Sequence, residues 1–179
     1  MSVVGAARGV GLGLAVCGAV CAPACRAAGE PPPRQINITS DSAPGWLPSV
    51  EQEGAARRSL DTYLAAVDKG QPGAAYSVLT PGEQYAIPIS VFARRISGFL
   101  AEAGPLVERR ILRVTWTKNP ARAPTPGVYV AFELASRFAT AGRRCDYIVL
   151  YQSPAGGDFQ VSREEDLSVS NAAAAAACP

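Results

Sequence analysis

The hydrophobic period of the chain changes once, at Gly104-Pro105-Leu106, and that change limits the fold more than any other feature. Ahead of it, apolar residues follow the 3.6-residue repeat of an amphipathic helix. Behind it they alternate, as in a strand with one buried face. Residues 49–68 hold the clearest helix signal. Ser49 and Gln52 make a capping box, Ala56, Leu60, Tyr63, Leu64 and Val67 line one face, and Gly70 is a stop. A short second helix is expected over 74–79, ended by Pro81-Gly82. Ser90 is placed to cap a third, whose stripe is Phe92, Ile96, Phe99, Leu100 and Ala103.

Four strands are expected after the change. In 110–117, Leu112, Val114 and Trp116 oppose Ile111, Arg113, Thr115 and Thr117. In 128–138, Val128, Val130, Phe132 and Leu134 oppose Tyr129, Ala131, Glu133 and Ala135. The third, 145–152, places Tyr147, Val149 and Tyr151 on one face, and the fourth spans 159–167. The Pro-rich stretch 119–127, Ala141-Gly142 and Ala155-Gly156-Gly157-Asp158 are the turns. Strands joined so closely pair antiparallel. The expected class is α+β, with three N-terminal helices packed on an antiparallel sheet of about four strands.

The flanks read differently. Residues 1–27 have the three parts of a signal peptide: Arg8, the uncharged run 10–22, and small residues at the −3 and −1 positions before a cut after Ala27. A membrane span needs about 20 predominantly apolar residues. Gly11, Gly13 and Gly18 dilute this run, and Pro23 and Arg26 end it. The expected location is the periplasm or the exterior, with no membrane span after processing. The alternative is a lipoprotein cut before Cys25. Residues 28–48, with Pro31-Pro32-Pro33 and Ser42-Ala43-Pro44-Gly45, read as a linker onto which Trp46-Leu47 dock. Asn37-Ile38-Thr39 is formally a glycosylation sequon. The single α+β domain is expected over 49–170, and 171–179 is an Ala-rich tail.

Composition removes whole chemistries. The chain has no His, so a Ser-His-Asp triad, a Cys-His pair and an imidazole-bound zinc are all excluded. Loss of Arg8 and Arg26 with the leader leaves 15 basic residues against 15 acidic ones. The basic doublets Arg57-Arg58, Arg94-Arg95, Arg109-Arg110 and Arg143-Arg144 are scattered among acids and read as solvated faces. Nucleic acid is therefore not an expected partner. Glu164-Glu165-Asp166 reads as a solvated strand end, because no calcium-loop pattern surrounds it. No metal site and no cofactor are expected. Cys17 and Cys21 leave with the leader, and Cys145 and Cys178 are the candidates for a disulfide in an oxidising compartment.

Several short motifs carry a resemblance. They are Tyr63-Leu64 with Asp68-Lys69-Gly70, Ala75-Tyr76, Phe92 with Ile96, Gly104-Pro105-Leu106, Pro126-Gly127-Val128-Tyr129, Phe138 and Gly157-Asp158-Phe159-Gln160-Val161. With them the chain, from about Ser49 to Ser170, resembles the secreted bacterial domain-of-unknown-function family four-zero-one-nine. It departs from that family's pattern at Tyr76, Phe92 and Phe159, where Trp is common, and in its Ala tail. The resemblance implies a curved, cone-like fold similar to nuclear transport factor two and the cystatins. It implies no activity and carries over no catalytic residue.

Tyr129, Glu133 and Arg137 share one strand face, to which neighbouring strands add Arg113 and Tyr147 or Tyr151. With Tyr76, these are the candidate ligand-binding residues: Tyr76, Arg113, Tyr129, Glu133, Arg137 and Tyr147. The bland alternative for Arg113 and Glu133 is a surface ion pair worth under about 1 kcal/mol. The expected function is a non-enzymatic binding or interaction module for a small ligand or an envelope protein. A small hydrolase or isomerase using Glu133 or a carboxylate of the run Glu164-Glu165-Asp166 in the cone, and an envelope assembly protein, are the alternatives.

Overall fold

The computed structural model describes residues 36–123 and 125–166. Within it α1 (Val50–Asp68) starts at the expected capping box. The Gln52 amide donates to Ser49 Oγ at 3.2 Å, and the Ser49 amide donates to Gln52 Oε1 at 3.1 Å. Two short helices follow, α2 (Pro72–Ser77) and α3 (Pro81–Ala86). α3 is absent from the expectation, which took Pro81-Gly82 as a terminator. Pro81 instead opens the helix, where a missing N–H costs nothing, and Thr80 Oγ1 accepts from the Glu83 amide. α4 (Ile89–Ala103) starts one residue ahead of Ser90 and ends at Gly104, whose φ is 69°.

Five strands, not about four, form one sheet in the order β1-β2-β3-β4-β5. They are β1 (Asn37–Ile38), β2 (Leu106–Lys118), β3 (Val128–Phe138), β4 (Gly142–Gln152) and β5 (Gln160–Asp166). The sheet is mixed, which corrects the antiparallel expectation. β1 lies in the stretch read as linker and pairs parallel with β2 at Thr115 and Trp116. The arm docks because its polar groups find partners there. The Thr39 amide donates to Trp116 O at 3.0 Å and the Ala43 amide to Lys118 O at 2.9 Å. Asn37 Nδ2 donates to Val114 O. Trp46 packs against the core, whereas Leu47 is exposed.

Alternation gave the faces of β3 and β4 but not of β2. Ile111 pairs with Leu134 and Arg113 with Glu133, so Leu112 is an unmatched bulge residue. The bulge reverses the expected parity below it. Ile111 joins the core, and Leu112 is exposed. The core lies between the helices and the sheet. Leu60, Tyr63 and Ala56 of α1 and Phe92 and Ile96 of α4 meet Val130, Phe132, Leu134, Ile148, Leu150 and Val161. Burying such side chains is worth about 1.5–3 kcal/mol each. The opening edge of β5 is covered by the α2–α3 connection, where Thr80 and Val161 exchange backbone bonds with Val161 and Val78.

Candidate functional site

At one end of the helix-facing sheet surface the core gives way to polar residues. Pleat and register bring them together. Arg109 of β2 pairs with Ser136 of β3, which pairs with Arg144 of β4, and Asp146 and Glu164 follow on β4 and β5 with the same inward parity. α1 contributes Tyr63 and Asp68. α4 contributes Arg95, which falls within the apolar stripe of Phe92, Ile96 and Phe99 and lines the same space. Of these, Tyr63, Arg95, Arg109, Arg144, Asp146 and Glu164 border an open cavity of about 200 Å³ whose remaining wall is apolar, and Asp68 and Ser136 support it from behind Arg109.

Two hydrogen-bonded chains organise it. Arg109 reaches Asp68 with both terminal nitrogens, at 2.6 and 3.0 Å, and its Nε donates to Ser136 Oγ at 3.0 Å. Ser136 Oγ in turn lies 3.4 Å from Asp146 Oδ2. The Arg109 and Asp68 side chains are only 14% and 20% exposed. Such a bidentate pair holds both strand and helix in one geometry. In the second chain the buried Tyr63 hydroxyl donates to Glu164 Oε2 at 2.8 Å. Arg144 stacks over the Phe99 ring at 4.9 Å. Arg95 makes no hydrogen bond or ion pair with another described residue.

The two carboxyls of the cavity share an electrostatic bias. Burial pushes Asp146 above the usual carboxylate range, against the pull of Arg144, Arg109 and the Ser136 hydroxyl. Glu164 is exposed along its strand, but its carboxyl faces the cavity and is also pushed up. Desolvation is the main cause there, Asp146 adds to it, and the Tyr63 hydrogen bond opposes it. Burial, then the Glu164 charge, holds the Tyr63 hydroxyl far above its ordinary value, so Tyr63 is a donor at every physiological pH. Among the described residues, no cluster of three or more His, Cys, Asp or Glu is placed to hold a metal ion.

None of the candidate ligand-binding residues read from the sequence lines this cavity, whereas Glu164, of the acidic run offered for the catalytic alternative, does. Arg113 and Glu133 sit opposite each other on the other sheet face, 3.7 Å apart, with side chains 63% and 34% exposed. Tyr147 flanks Glu133 from β4. Tyr129 packs on Tyr151 at 5.0 Å and donates to Thr125 O. Arg137 is 3.5 Å from Glu108 and directly opposite Arg143. Tyr76 anchors the α3 connection, its hydroxyl donating to Gln84 O and Ile87 O while its ring meets Phe92. The polar face was therefore read as one face correctly, but the cavity is on the other. Arg109 and Arg144, read as solvated, are half-buried, whereas Arg95 and Glu164, read the same way, are exposed residues whose charged ends line the cavity. The sequence did hold a signal, since Asp146 shares parity with Ile148 and Leu150, and Arg95 sits inside a helical stripe. Cys145 is buried beside Ala135, and the proposed partner Cys178 lies outside the described residues, as do the leader and tail.

The family model described as protein of unknown function (DUF4019) matches residues 59–162, more than half of the chain. The chain belongs to this family. The match runs from α1 into β5 and contains every residue of the cavity except Glu164, which lies two residues beyond it. No curated protein and no solved structure matches the chain. No helix among the described residues of this DUF4019 protein is long and apolar enough to cross a membrane.

Proposed function

We propose that this DUF4019 domain is an exported module that binds a small ligand in the cavity between α1, α4 and the polar end of the sheet. The carrying observation is the lining itself. An apolar wall of Leu64, Phe92, Ile96 and Phe99 faces a few convergent polar groups, which is how small-molecule sites combine burial with orientation. Export rests on the leader pattern of residues 1–27, with anchoring through a lipidated Cys25 as its variant. An oxidising compartment would suit a Cys145–Cys178 bridge. The bulges in β2 and the unmatched Ser162 of β5 bend their strands, which supports a curved, cone-like sheet.

Native mass spectrometry of protein purified gently from the envelope tests the binding reading. A bound small molecule that is lost on Phe99→Trp is the expected result. A ligand-free spectrum that never changes with added small molecules would remove it. For export, N-terminal sequencing should begin near Ala28, or at a lipidated Cys25. A soluble pool that keeps Met1 would contradict it.

A second reading has one specific observation in its favour. A small hydrolase or isomerase needs a carboxyl with a shifted proton affinity facing bound substrate. Asp146 and Glu164 meet that description, each with a hydrogen-bond partner. Glu133, on the outer face, does not. Turnover abolished by Asp146→Asn, with ligand binding retained, would establish the catalytic reading over the binding one.

A further inference from the structure

The charges around the cavity are of both signs, and they are not all used up by each other. Asp68 and Arg109 satisfy one another at 2.6 and 3.0 Å. Asp146 keeps only the long contact from Ser136 at 3.4 Å among its side-chain hydrogen bonds. Glu164 takes one hydrogen bond, from Tyr63, and a carboxylate has room for several. The two carboxyls line the same space, and the Asp146 charge disfavours ionisation of Glu164. A cation between them would relieve that repulsion and complete their lone pairs. Among the described residues the cavity's cations are Arg95, Arg109 and Arg144, whose charges favour ionised carboxyls, but none of them donates a hydrogen bond to Asp146 or Glu164. On the α4 side, the exposed Arg95 guanidinium acts on Glu164 only through its charge and keeps its hydrogen-bond donors open toward the cavity. Leu64, Phe92, Ile96 and Phe99 supply the apolar wall between the two poles.

We propose that the cavity takes a small zwitterion, an apolar α-amino acid, with its ammonium between Asp146 and Glu164, its carboxylate on Arg95 and its side chain against Phe92, Ile96 and Phe99. This rests on the binding reading above and names its ligand class. A ligand without an ammonium leaves the desolvated carboxyl pair without a partner, and one without a carboxylate gives up the contact to Arg95. Sites built to hold a polar group discriminate strongly against analogues that lack it. The volume of about 200 Å³ also falls below the roughly 300–1,000 Å³ of sites for drug-sized molecules.

Isothermal titration of the full-length mature protein at pH 7.5 with L-phenylalanine, phenethylamine and 3-phenylpropanoate tests this. L-phenylalanine should bind at least ten-fold more tightly than either single-charge probe. Asp146→Asn and Arg95→Gln should each weaken it ten-fold or more. Glu164→Gln serves if the first of these fails to fold. Arg94→Gln, one residue away on the exposed side of α4, should change nothing. Equal binding of phenethylamine or 3-phenylpropanoate overturns the zwitterion. If no probe binds while a different small molecule co-purifies and is lost on Phe99→Trp, the ligand class is wrong and the binding reading stands. If no probe binds and nothing co-purifies, both fall.

Discussion

Single side chains decide the electrostatics of the cavity, and Asp146 is the clearest test. Its folded-state proton affinity is raised, so its ionisation costs the folded protein stability. That cost is complete above the folded value and disappears below the ordinary value of 3.8. Asp146→Asn should therefore melt above the parent at pH 7.5, and the two melts should converge below pH 3.8. Of the groups facing it, Arg144, Arg109, Ser136 and Asp68 are unchanged by the substitution. Glu164, whose proton affinity Asp146 raises, titrates lower in the variant, so the pH dependence of the difference belongs to this carboxyl pair. Tyr63→Phe removes the donor to Glu164 and should cost about 1–2 kcal/mol. The Glu164 carboxyl should then titrate higher still, which a carbon-13 NMR titration would show. On the outer face, a double-mutant cycle of Glu133→Gln with Arg113→Met should return a coupling under about 1 kcal/mol, because both side chains are wet.

Among the elements, β2 is where local pattern and pairing part company. Strict alternation from Trp116 and Val114 turns Leu112 and Arg110 inward. The bulge at Leu112 turns Ile111 and Arg109 inward instead, and Arg109 then meets Asp68. Arg109→Met should cost about 3 kcal/mol by leaving Asp68 half-buried without its partner. Arg110→Met, on an exposed residue, should cost under about 1 kcal/mol. Urea melts of the two variants would separate the readings, since unbroken alternation reverses the order. The helices were more legible than the strands. The capping box at Ser49 and Gln52 and the Phe92 stripe are local signals, whereas α3 was missed because Pro81 serves equally to stop one helix or start another.

For the whole molecule, one helix-on-sheet core carries stability. Leu60 and Ile96 are 1% and 6% exposed within it. Leu60→Asp or Ile96→Asp would bury an uncompensated charge and should prevent folding or lower Tm by tens of degrees. Arg57→Ala removes only an exposed i,i+4 pair with Asp61 and should cost about 0.5 kcal/mol or less. Thermal melts of the three variants check the assignment. Similar midpoints would mean that α1 and α4 pack on other faces. The arm belongs to the same unit of structure, since β1 adds its hydrogen bonds to the edge of β2.

The amino-acid sequence alone determined the α+β class, the boundaries of α1 and β3 to within a residue or so, and the common face of Arg113, Glu133 and Tyr147. These follow from periods of 3.6 and 2 residues, which any window of the chain displays. Tertiary structure decided where the cavity between helices and sheet lies, that the arm becomes a strand, and that Arg109 rather than Arg110 points inward. Each of these depends on pairing between segments distant along the chain. A bulge is invisible until the partner strand sets the register. A charged residue looks the same in sequence whether it ends in water or beside a second charge from a helix 41 residues away, as Arg109 does with Asp68.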